Sequence, residues 1–151
     1  MNIYLAGDHA GFALKEAIRQ YLAGRGFPVQ DFGPVSFDPG DDYPDFVIPL
    51  ARKVAAEKDR KGIAVAGTGQ GEAIVANKVK GIRAAVYYGG SLDIVRLSRQ
   101  HNDANVLCLG ARFITQEEAI DAVTLWLETD FEGGRHEQRI KKITQLEESK
   151  E

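Results

Sequence analysis

Short apolar runs alternate with amphipathic stretches along almost the whole of this 151-residue chain. Each run is apolar or β-branched and ends near a glycine, which is typical of strands buried on both faces. Strand–helix alternation predicts an α/β fold in which a mostly parallel sheet lies between layers of helices. In such folds, ligands bind beyond the carboxyl ends of the strands. The predicted strands cover residues 3–6, 29–32, 63–66, 82–87 and 106–109.

The stretches between these runs have the apolar spacing of amphipathic helices. Helices are predicted from Phe12 to a stop at Gly24, from Pro44 to about Asp59, around Ile94, Leu97 and Ser98, from the capping box of Thr115 and Glu118 onward, and from Arg135 onward. The last of these helices follows the final strand and has no part of the sheet left to cover. We therefore expect it to pack against a second subunit.

Composition and charge exclude several classes of protein. Hydrophobic residues make up 44% and charged residues 27% of the chain, so a packed core is expected and extensive disorder is not. A net charge of -3 does not favour binding to nucleic acid or anionic lipid. No signal peptide or membrane-spanning run is visible, and the single cysteine excludes an intramolecular disulfide. We expect one cytoplasmic domain over residues 1–151, with no nucleic-acid or membrane partner.

The most informative motif is the glycine turn Gly67-Thr68-Gly69-Gln70-Gly71, which joins the third predicted strand to a helix. Its backbone N–H groups lie at the positive end of that helix and predict an anion site. No Gly-Lys-Ser/Thr follows, which excludes a Walker motif, and Glu72 stands where a dinucleotide-binding motif has its third glycine. A turn that needs glycine only for its backbone angles is an equally good interpretation of the glycines alone.

Glu72 favours a catalytic interpretation of this turn. A carboxylate in the first helical turn is expected to be held ionised by the helix dipole, although this is also ordinary capping. Beside a turn that stabilises an oxyanion, an ionised carboxylate is what proton abstraction next to a carbonyl group requires. Thr68 adds a hydroxyl donor within the same turn.

Histidines and arginines supply further candidates. His9 follows the first strand beside Asp8, which we expect to orient it, whereas His101 follows a predicted helix and could equally be a capping residue. The three histidines lack the close spacing of metal ligands, so no metal site is predicted. Three arginines could hold a phosphate or be ordinary surface charges: Arg112, Arg135 and Arg139.

A set of motifs follows in a fixed order along nearly the full chain. They are Gly7-Asp8-His9-Ala10-Gly11-Phe12, Asp42-Tyr43-Pro44, the glycine turn, Ala76-Asn77-Lys78, Gly81-Ile82-Arg83-Ala84, Ser98-Arg99-Gln100-His101-Asn102-Asp103-Ala104-Asn105, Gly110-Ala111-Arg112 and Gly133-Gly134-Arg135-His136. In these motifs the chain resembles the family of ribose-5-phosphate isomerase B, which includes galactose-6-phosphate isomerase. Together the motifs are far more specific than any one of them alone.

The resemblance implies reversible aldose–ketose isomerisation of a sugar phosphate through a cis-enediolate, with no metal and no cofactor. Ribose 5-phosphate and ribulose 5-phosphate are the expected pair. The implied fold is a Rossmann-like three-layer α/β/α sandwich with a five-stranded parallel sheet. A homodimer, sometimes paired into a tetramer, is also implied, with active sites at the subunit interface and a C-terminal helix exchanged with the partner.

Roles for individual residues follow from the same resemblance. The backbone of the glycine turn holds the enediolate oxygens with the help of Thr68, and His101 moves a proton during opening of the sugar ring. Some of the phosphate-binding arginines come from the partner subunit. The implied substrate-binding residues are Asp8, His9, Tyr43, Gly67, Gly69, Gln70, Gly71, Asn102, Arg112, Arg135 and Arg139.

The catalytic base follows from a difference between branches of the family. One branch uses a cysteine just before the glycine turn, but this chain has Ala66 there, which cannot accept a proton. The other branch has a glutamate directly after the turn, and this chain has Glu72 there. We therefore expect Glu72 to be the base. Cys108, which lies within an apolar run, is expected to be buried and inert.

Two other functions stay open at this stage. The first is the same chemistry on another sugar phosphate, such as galactose or allose 6-phosphate or a tetrose phosphate, because Tyr87-Tyr88-Gly89-Gly90 matches neither branch. The second is a non-catalytic module that binds phosphate or a nucleotide. Glu72 argues against such a module, because a carboxylate at the mouth of an anion site repels the ligand unless it reacts with it.

Overall fold

The computed structural model describes residues 1–149, which form five strands and six helices. In chain order these are β1 (Ile3–Gly7), α1 (Phe12–Gly24), β2 (Val29–Asp31), α2 (Pro44–Ala56), β3 (Lys61–Ala66), α3 (Gln70–Ala76), β4 (Ala84–Tyr87), α4 (Asp93–Gln100), β5 (Val106–Gly110), α5 (Gln116–Glu128) and α6 (Arg135–Glu148). None of these helices is long and apolar enough to cross a bilayer.

All five strands are parallel and lie in the order β2-β1-β3-β5-β4. From β1 the chain proceeds to one edge of the sheet, and from β3 it proceeds to the other. The loops that follow β1 and β3 therefore diverge and leave a crevice at the carboxyl end of the sheet. The prediction of a five-stranded parallel sheet with helices is confirmed.

Helices cover both faces of the sheet, each with its own apolar cluster. On one face, Ile63 and Leu107 pack with α1 and α5, and the fully buried Trp126 lies in the same cluster. On the other face, α2 and α3 pack on small strand residues that include Ala64 and Cys108. Small side chains let α3 approach the strands closely. Burial raises the pKa of the Cys108 thiol well above its usual range, as expected for an inert cysteine.

Each strand differs from its predicted bounds by one or two residues at one end, and α2 ends before the predicted residue. The helix α2 ends at Ala56 and does not continue to about Asp59, because the chain turns there and Asp59 adopts a φ of 59°. The strand β4 begins at Ala84 and not at residue 82. Ile82 belongs to a turn in which its N–H donates to the carbonyl oxygen of Val79 at 3.2 Å.

The apolar residues that predicted α4 do not face the core. Ile94 is 51% exposed and Leu97 is 40% exposed, whereas Val95 and Ser98 are buried. Ile143 on α6 is exposed as well. Apolar side chains of this kind are suited to contact with another subunit. Because the structure contains one chain, the exchange of α6 between subunits stays a prediction.

Substitution of Gly11 tests how tightly the backbone packs at the carboxyl end of the sheet. A Cβ added to Gly11 would lie 2.0 Å from the carbonyl oxygen of Val65 in β3. We expect Gly11→Ala to lower the free energy of unfolding by about 2–3 kcal/mol, because a carbonyl group within a sheet cannot move aside. Unfolding in urea measures this change.

Gly24→Ala is the matched control for this substitution. No atom lies within 4 Å of a Cβ added to Gly24, which ends α1, so the change should be neutral or slightly stabilising. A Gly11→Ala variant as stable as the Gly24→Ala variant would contradict the tight packing described here.

Candidate active site

A cavity of about 320 Å³ lies at the carboxyl ends of β1 and β3, in the crevice between their loops. The turn after β1, the glycine turn after β3, the start of α2 and the loop after β5 all contribute to it. Its lining residues are Asp8, His9, Ala10, Tyr43, Ala66, Gly67, Thr68, Gly71, Glu72 and Arg112. The fold therefore brings together many of the residues that the sequence analysis proposes for the site, from four separate segments.

Each glycine of the glycine turn permits a close contact. Gly69 precedes α3 with a φ of 81°, which lies in the left-handed region, and a Cβ there would lie 2.9 Å from a methyl group of Val86. A Cβ on Gly71 would lie 2.5 Å from the hydroxyl oxygen of Tyr43. A Cβ on Gly67 would lie 3.1 Å from the guanidinium carbon of Arg112. Glycine thus lets these neighbours pack directly on the backbone of the turn.

Glu72 is buried against this turn, with 1% of its surface exposed. Among the described residues, no group donates a hydrogen bond to its Oε1 atom. Burial raises the pKa of Glu72 to about 7, although nearby backbone groups, including that of Ala66, favour the ionised form. Contrary to the expectation of a carboxylate held ionised at the start of a helix, burial outweighs the nearby backbone groups and raises this pKa. A pKa near 7 suits a group that accepts and returns a proton at neutral pH.

His9 is oriented by Asp41 and not by Asp8, contrary to expectation. Nδ1 of His9 lies 2.7 Å from Oδ1 of Asp41, and the same oxygen accepts the His9 backbone N–H at 2.9 Å. Asp8 instead accepts the N–H groups of Ala10 and Gly11 and so stabilises the turn after β1. The hydrogen bond to Asp41 raises the pKa of His9, which favours a cation at the wall of the cavity.

The remaining polar groups of the cavity surround the glycine turn. The Thr68 hydroxyl accepts the N–H of Gln70 at 3.3 Å and stabilises the turn. The N–H of Arg112 donates to the carbonyl oxygen of Gly67 at 3.0 Å, which holds the loop after β5 against the turn. The side chain of Gln70 is exposed and lines other surface pockets, next to Val86. Gln70 therefore contributes only its backbone to the glycine turn.

Four residues proposed for the site lie elsewhere in the chain, namely His101, Asn102, Arg135 and Arg139. His101 follows α4 and stacks on His136 of α6, with ring centroids 4.2 Å apart. The N–H of Glu132 donates to the carbonyl oxygen of Gln100 at 3.0 Å and connects the segment before α6 to the end of α4. We call His101, Asn102, Glu132, Arg135, His136 and Arg139 the α4–α6 cluster. None of its members lines the cavity of this chain.

Comparison with known proteins agrees with this arrangement. The family model described as Ribose/Galactose Isomerase matches residues 3–143. The chain belongs to this family. The resemblance found in the sequence motifs is thereby confirmed.

Curated members of the ribose/galactose isomerase family resemble the chain over nearly its full length. The probable ribose-5-phosphate isomerase B of Mycoplasma genitalium is 47% identical over 151 residues, which is 99% of this chain and 98% of that protein. Ribose-5-phosphate isomerase B of Escherichia coli is 44% identical over 140 residues, covering 93% of this chain and 92% of that protein.

Solved structures of family members superpose closely. The Mycoplasma genitalium ribose-5-phosphate isomerase B with bound ribulose 5-phosphate has a TM-score of 0.94 and 47% identity, covering 98% of this chain and 97% of that one. The Clostridium thermocellum ribose-5-phosphate isomerase B has a TM-score of 0.92 and 45% identity, covering 98% of each chain.

The raised pKa of Glu72 in this family member predicts a pH-dependent stability. Because the folded-state pKa of about 7 lies above the ordinary value of 4.5, the folded protein binds the proton more tightly than the unfolded chain does. The stabilisation of the folded state by this bound proton is complete below about pH 4.5 and is lost as the pH rises to about 7. Relative to Glu72→Gln, the wild type should lose roughly 3 kcal/mol of unfolding free energy across this range.

Urea unfolding of both proteins at pH 5 and pH 8 measures this difference. Glu137→Gln, the same substitution at an exposed position of α6, should track the wild type at both pH values. A constant difference between the wild type and Glu72→Gln would contradict the raised pKa.

Proposed function

We propose that the protein interconverts ribose 5-phosphate and ribulose 5-phosphate through a cis-enediolate. The observation that carries this proposal is Glu72, a carboxyl group buried beside the glycine turn with a pKa of about 7. The family supplies the substrate, since the Mycoplasma genitalium relative was solved with ribulose 5-phosphate bound. A buried base with a pKa near neutrality, next to N–H donors, fits proton transfer beside a carbonyl group.

The proton transfer involves two neighbouring carbon atoms. In the ring-opened aldose, the Glu72 carboxylate removes the proton on C2, and the electron pair of that C–H bond forms the C1–C2 double bond of the enediolate. The hydroxyl proton moves from O2 to O1, and Glu72 returns its proton to C1, which yields the C2 ketone. Because one group both removes and returns the proton, transfer takes place on one face of the substrate.

The glycine turn stabilises the negative charge that develops on the sugar oxygens. Its backbone N–H groups lie at the start of α3 and are fixed in place before the reaction, so they need no reorganisation. The Thr68 hydroxyl assists at the same oxygens, and Tyr43 borders the substrate. Since backbone donors stabilise the enediolate, the reaction as proposed needs no metal and no cofactor.

The cavity and the α4–α6 cluster are two halves of one site that join across a homodimer. His9 and Arg112 supply cationic character in the cavity, while Arg135 and Arg139 supply positive charge in the cluster. In the dimer, the cluster of one subunit faces the cavity of its partner, with the arginines on the phosphate and His101 at the sugar ring oxygen. Asn102 assists at the enediolate oxygens.

Exposed apolar groups around β4 support this dimer. The strand β4 is an edge strand, which leaves one of its sides without a pairing strand. Around it, Ile74 is 63% exposed, Tyr88 49% and Ile94 51%. Burying such groups against a second copy would provide the interface energy.

The substrate assignment is tested with a panel of pentose, hexose and tetrose phosphates, using protein dialysed against a chelator. We expect ribose 5-phosphate to have the highest kcat/KM, with activity unchanged by the chelator. A higher kcat/KM for a hexose phosphate would place the protein with the galactose-6-phosphate isomerases of its family. Tight binding of ribose 5-phosphate or a nucleotide without turnover would contradict the enzymatic function.

Glu72→Gln tests the base. Glutamine has the size of glutamate but cannot accept the proton, so we expect kcat to fall by roughly 10²–10⁴ while sugar-phosphate binding survives. Steady-state kinetics and a direct binding measurement separate the two effects. Cys108→Ser is the control and should retain most activity, although burial of its hydroxyl lowers stability. An active Glu72→Gln beside a folded but inactive Cys108→Ser would mean that the base is wrongly assigned.

Mixed dimers test whether the two halves of the site come from different subunits. Glu72→Gln inactivates the cavity half, and Arg139→Ala weakens phosphate binding in the other half. In heterodimers of the two variants, one of the two sites is intact, so random co-assembly should restore about one quarter of the wild-type kcat/KM. Activity that stays at the mean of the two parent variants would contradict a shared site.

A further inference from the structure

Three metal-ligating side chains meet in the α4–α6 cluster, although they lie far apart in the sequence. The ligand atoms of His101, Glu132 and His136 all lie within 4.8 Å of one another. Nε2 of His136 is 3.8 Å from a carboxylate oxygen of Glu132. Two imidazoles and one carboxylate form a donor set that zinc sites use, with a fourth position left to water.

These ligands have no competing partners in the described part of the chain. Beyond the stacking of the two rings and the long contact between His136 and Glu132, no hydrogen bond to either imidazole is present in residues 1–149. His136 is 95% buried without such a bond. The ring nitrogens of both histidines are therefore available to coordinate a metal ion.

A second group of metal-ligating atoms, in the cavity, differs in this respect. Asp8, His9 and Asp41 also lie within 4.8 Å of one another. However, His9 is hydrogen-bonded to Asp41 at 2.7 Å, and Asp8 accepts two backbone N–H groups. Their ligand atoms are therefore already engaged in holding the cavity together.

We propose that His101, Glu132 and His136 form a binding site for a divalent transition-metal ion of the zinc type. Two ligands of a tetrahedral Zn²⁺ lie about 3.4 Å apart, so His136 and Glu132, at 3.8 Å, need to approach by roughly 0.4 Å and no pair in the group by more than roughly 1.4 Å. Glu132 is exposed and can rotate, and His101 is half-buried at the end of α4, where its ring can tilt away from the stacked arrangement. Arg135 and Arg139 lie close by and oppose a cation, so the site takes up metal reversibly.

Metal binding at this site would inhibit the isomerase, and this consequence rests on the proposed function. A metal bound to His101 occupies a ring nitrogen that the histidine needs in order to move a proton at the sugar ring. The same ion also lies beside the arginines assigned to the phosphate. Binding and inhibition are therefore measured separately, since only inhibition depends on the isomerase activity.

Binding is tested on untagged, chelator-treated protein. Co²⁺ is titrated in as a spectroscopic substitute and followed by visible absorption, and Zn²⁺ is measured in competition with a chromophoric chelator. We expect one ion per chain. Glu132→Gln, at an exposed position, should weaken binding at least about tenfold, and His136→Gln should weaken it at least as much. Glu137→Gln removes the same charge from the first turn of α6 and should bind like the wild type.

Several results would overturn the site. One is the absence of saturable binding, and another is equal binding by the wild type and Glu132→Gln. Binding that is abolished by Asp41→Asn and not by Glu132→Gln would assign the metal to the cavity instead. In the activity assay, Zn²⁺ should inhibit the wild type over the range in which it binds. Glu132→Gln, measured against its own rate without Zn²⁺, should need at least about tenfold more Zn²⁺ for the same fractional inhibition. Binding without inhibition would overturn the regulatory consequence alone.

Discussion

Direct backbone packing at the carboxyl ends of β1, β3 and β5 is the constraint on which the rest of the structure depends. Gly11 lies against the carbonyl group of Val65, where a Cβ would be 2.0 Å from the oxygen. Gly110 lies in the same way against the carbonyl group of Thr68, at 2.7 Å. Any other residue would separate these segments. Because glycine stands at both positions, three loops from distant parts of the chain meet without side chains between them.

This packing explains the chemistry of Glu72. The glycine turn is held against its neighbours, so the Glu72 side chain, in the first turn of α3, lies inside the protein. Two effects act on the carboxyl group in opposite directions. Nearby backbone groups favour its ionised form, whereas removal from water favours its neutral form, and the second effect is larger. The result is a carboxyl group that can both hold and release a proton near neutral pH.

Much of this architecture could be predicted from the sequence, for a physical reason. Strands buried on both faces must be continuously apolar, so their positions are visible as runs, and the polar residues directly after them mark the ligand-binding edge. Asp8, Thr68 and Glu72 could therefore be assigned to one site. The proposal that Glu72 is the base comes from the family resemblance, together with Ala66 before the glycine turn and Glu72 after it.

Other features depend on the paths of the loops and of α6, which the hydrophobic periodicity of the sequence does not encode. Asp41 lies in the loop between β2 and α2 and reaches His9 across 32 positions of the chain. The acidic composition of that loop, after the strand next to β1, was the available signal. His101 and His136 meet only because α6 returns to the end of α4, so histidine spacing could not show their proximity. The pKa of Glu72 depends on its exclusion from water, which a helix position alone does not define.

The claim that packing around the glycine turn sets the protonation of Glu72 is tested most directly by infrared difference spectroscopy. Spectra of the wild type minus Glu72→Gln, recorded as a function of pH, isolate the C=O stretching band of the protonated Glu72 carboxyl group. The account predicts a band that disappears with a midpoint near pH 7, in line with a pKa of about 7. A band that disappears near pH 4.5, the ordinary value for glutamate, would contradict it.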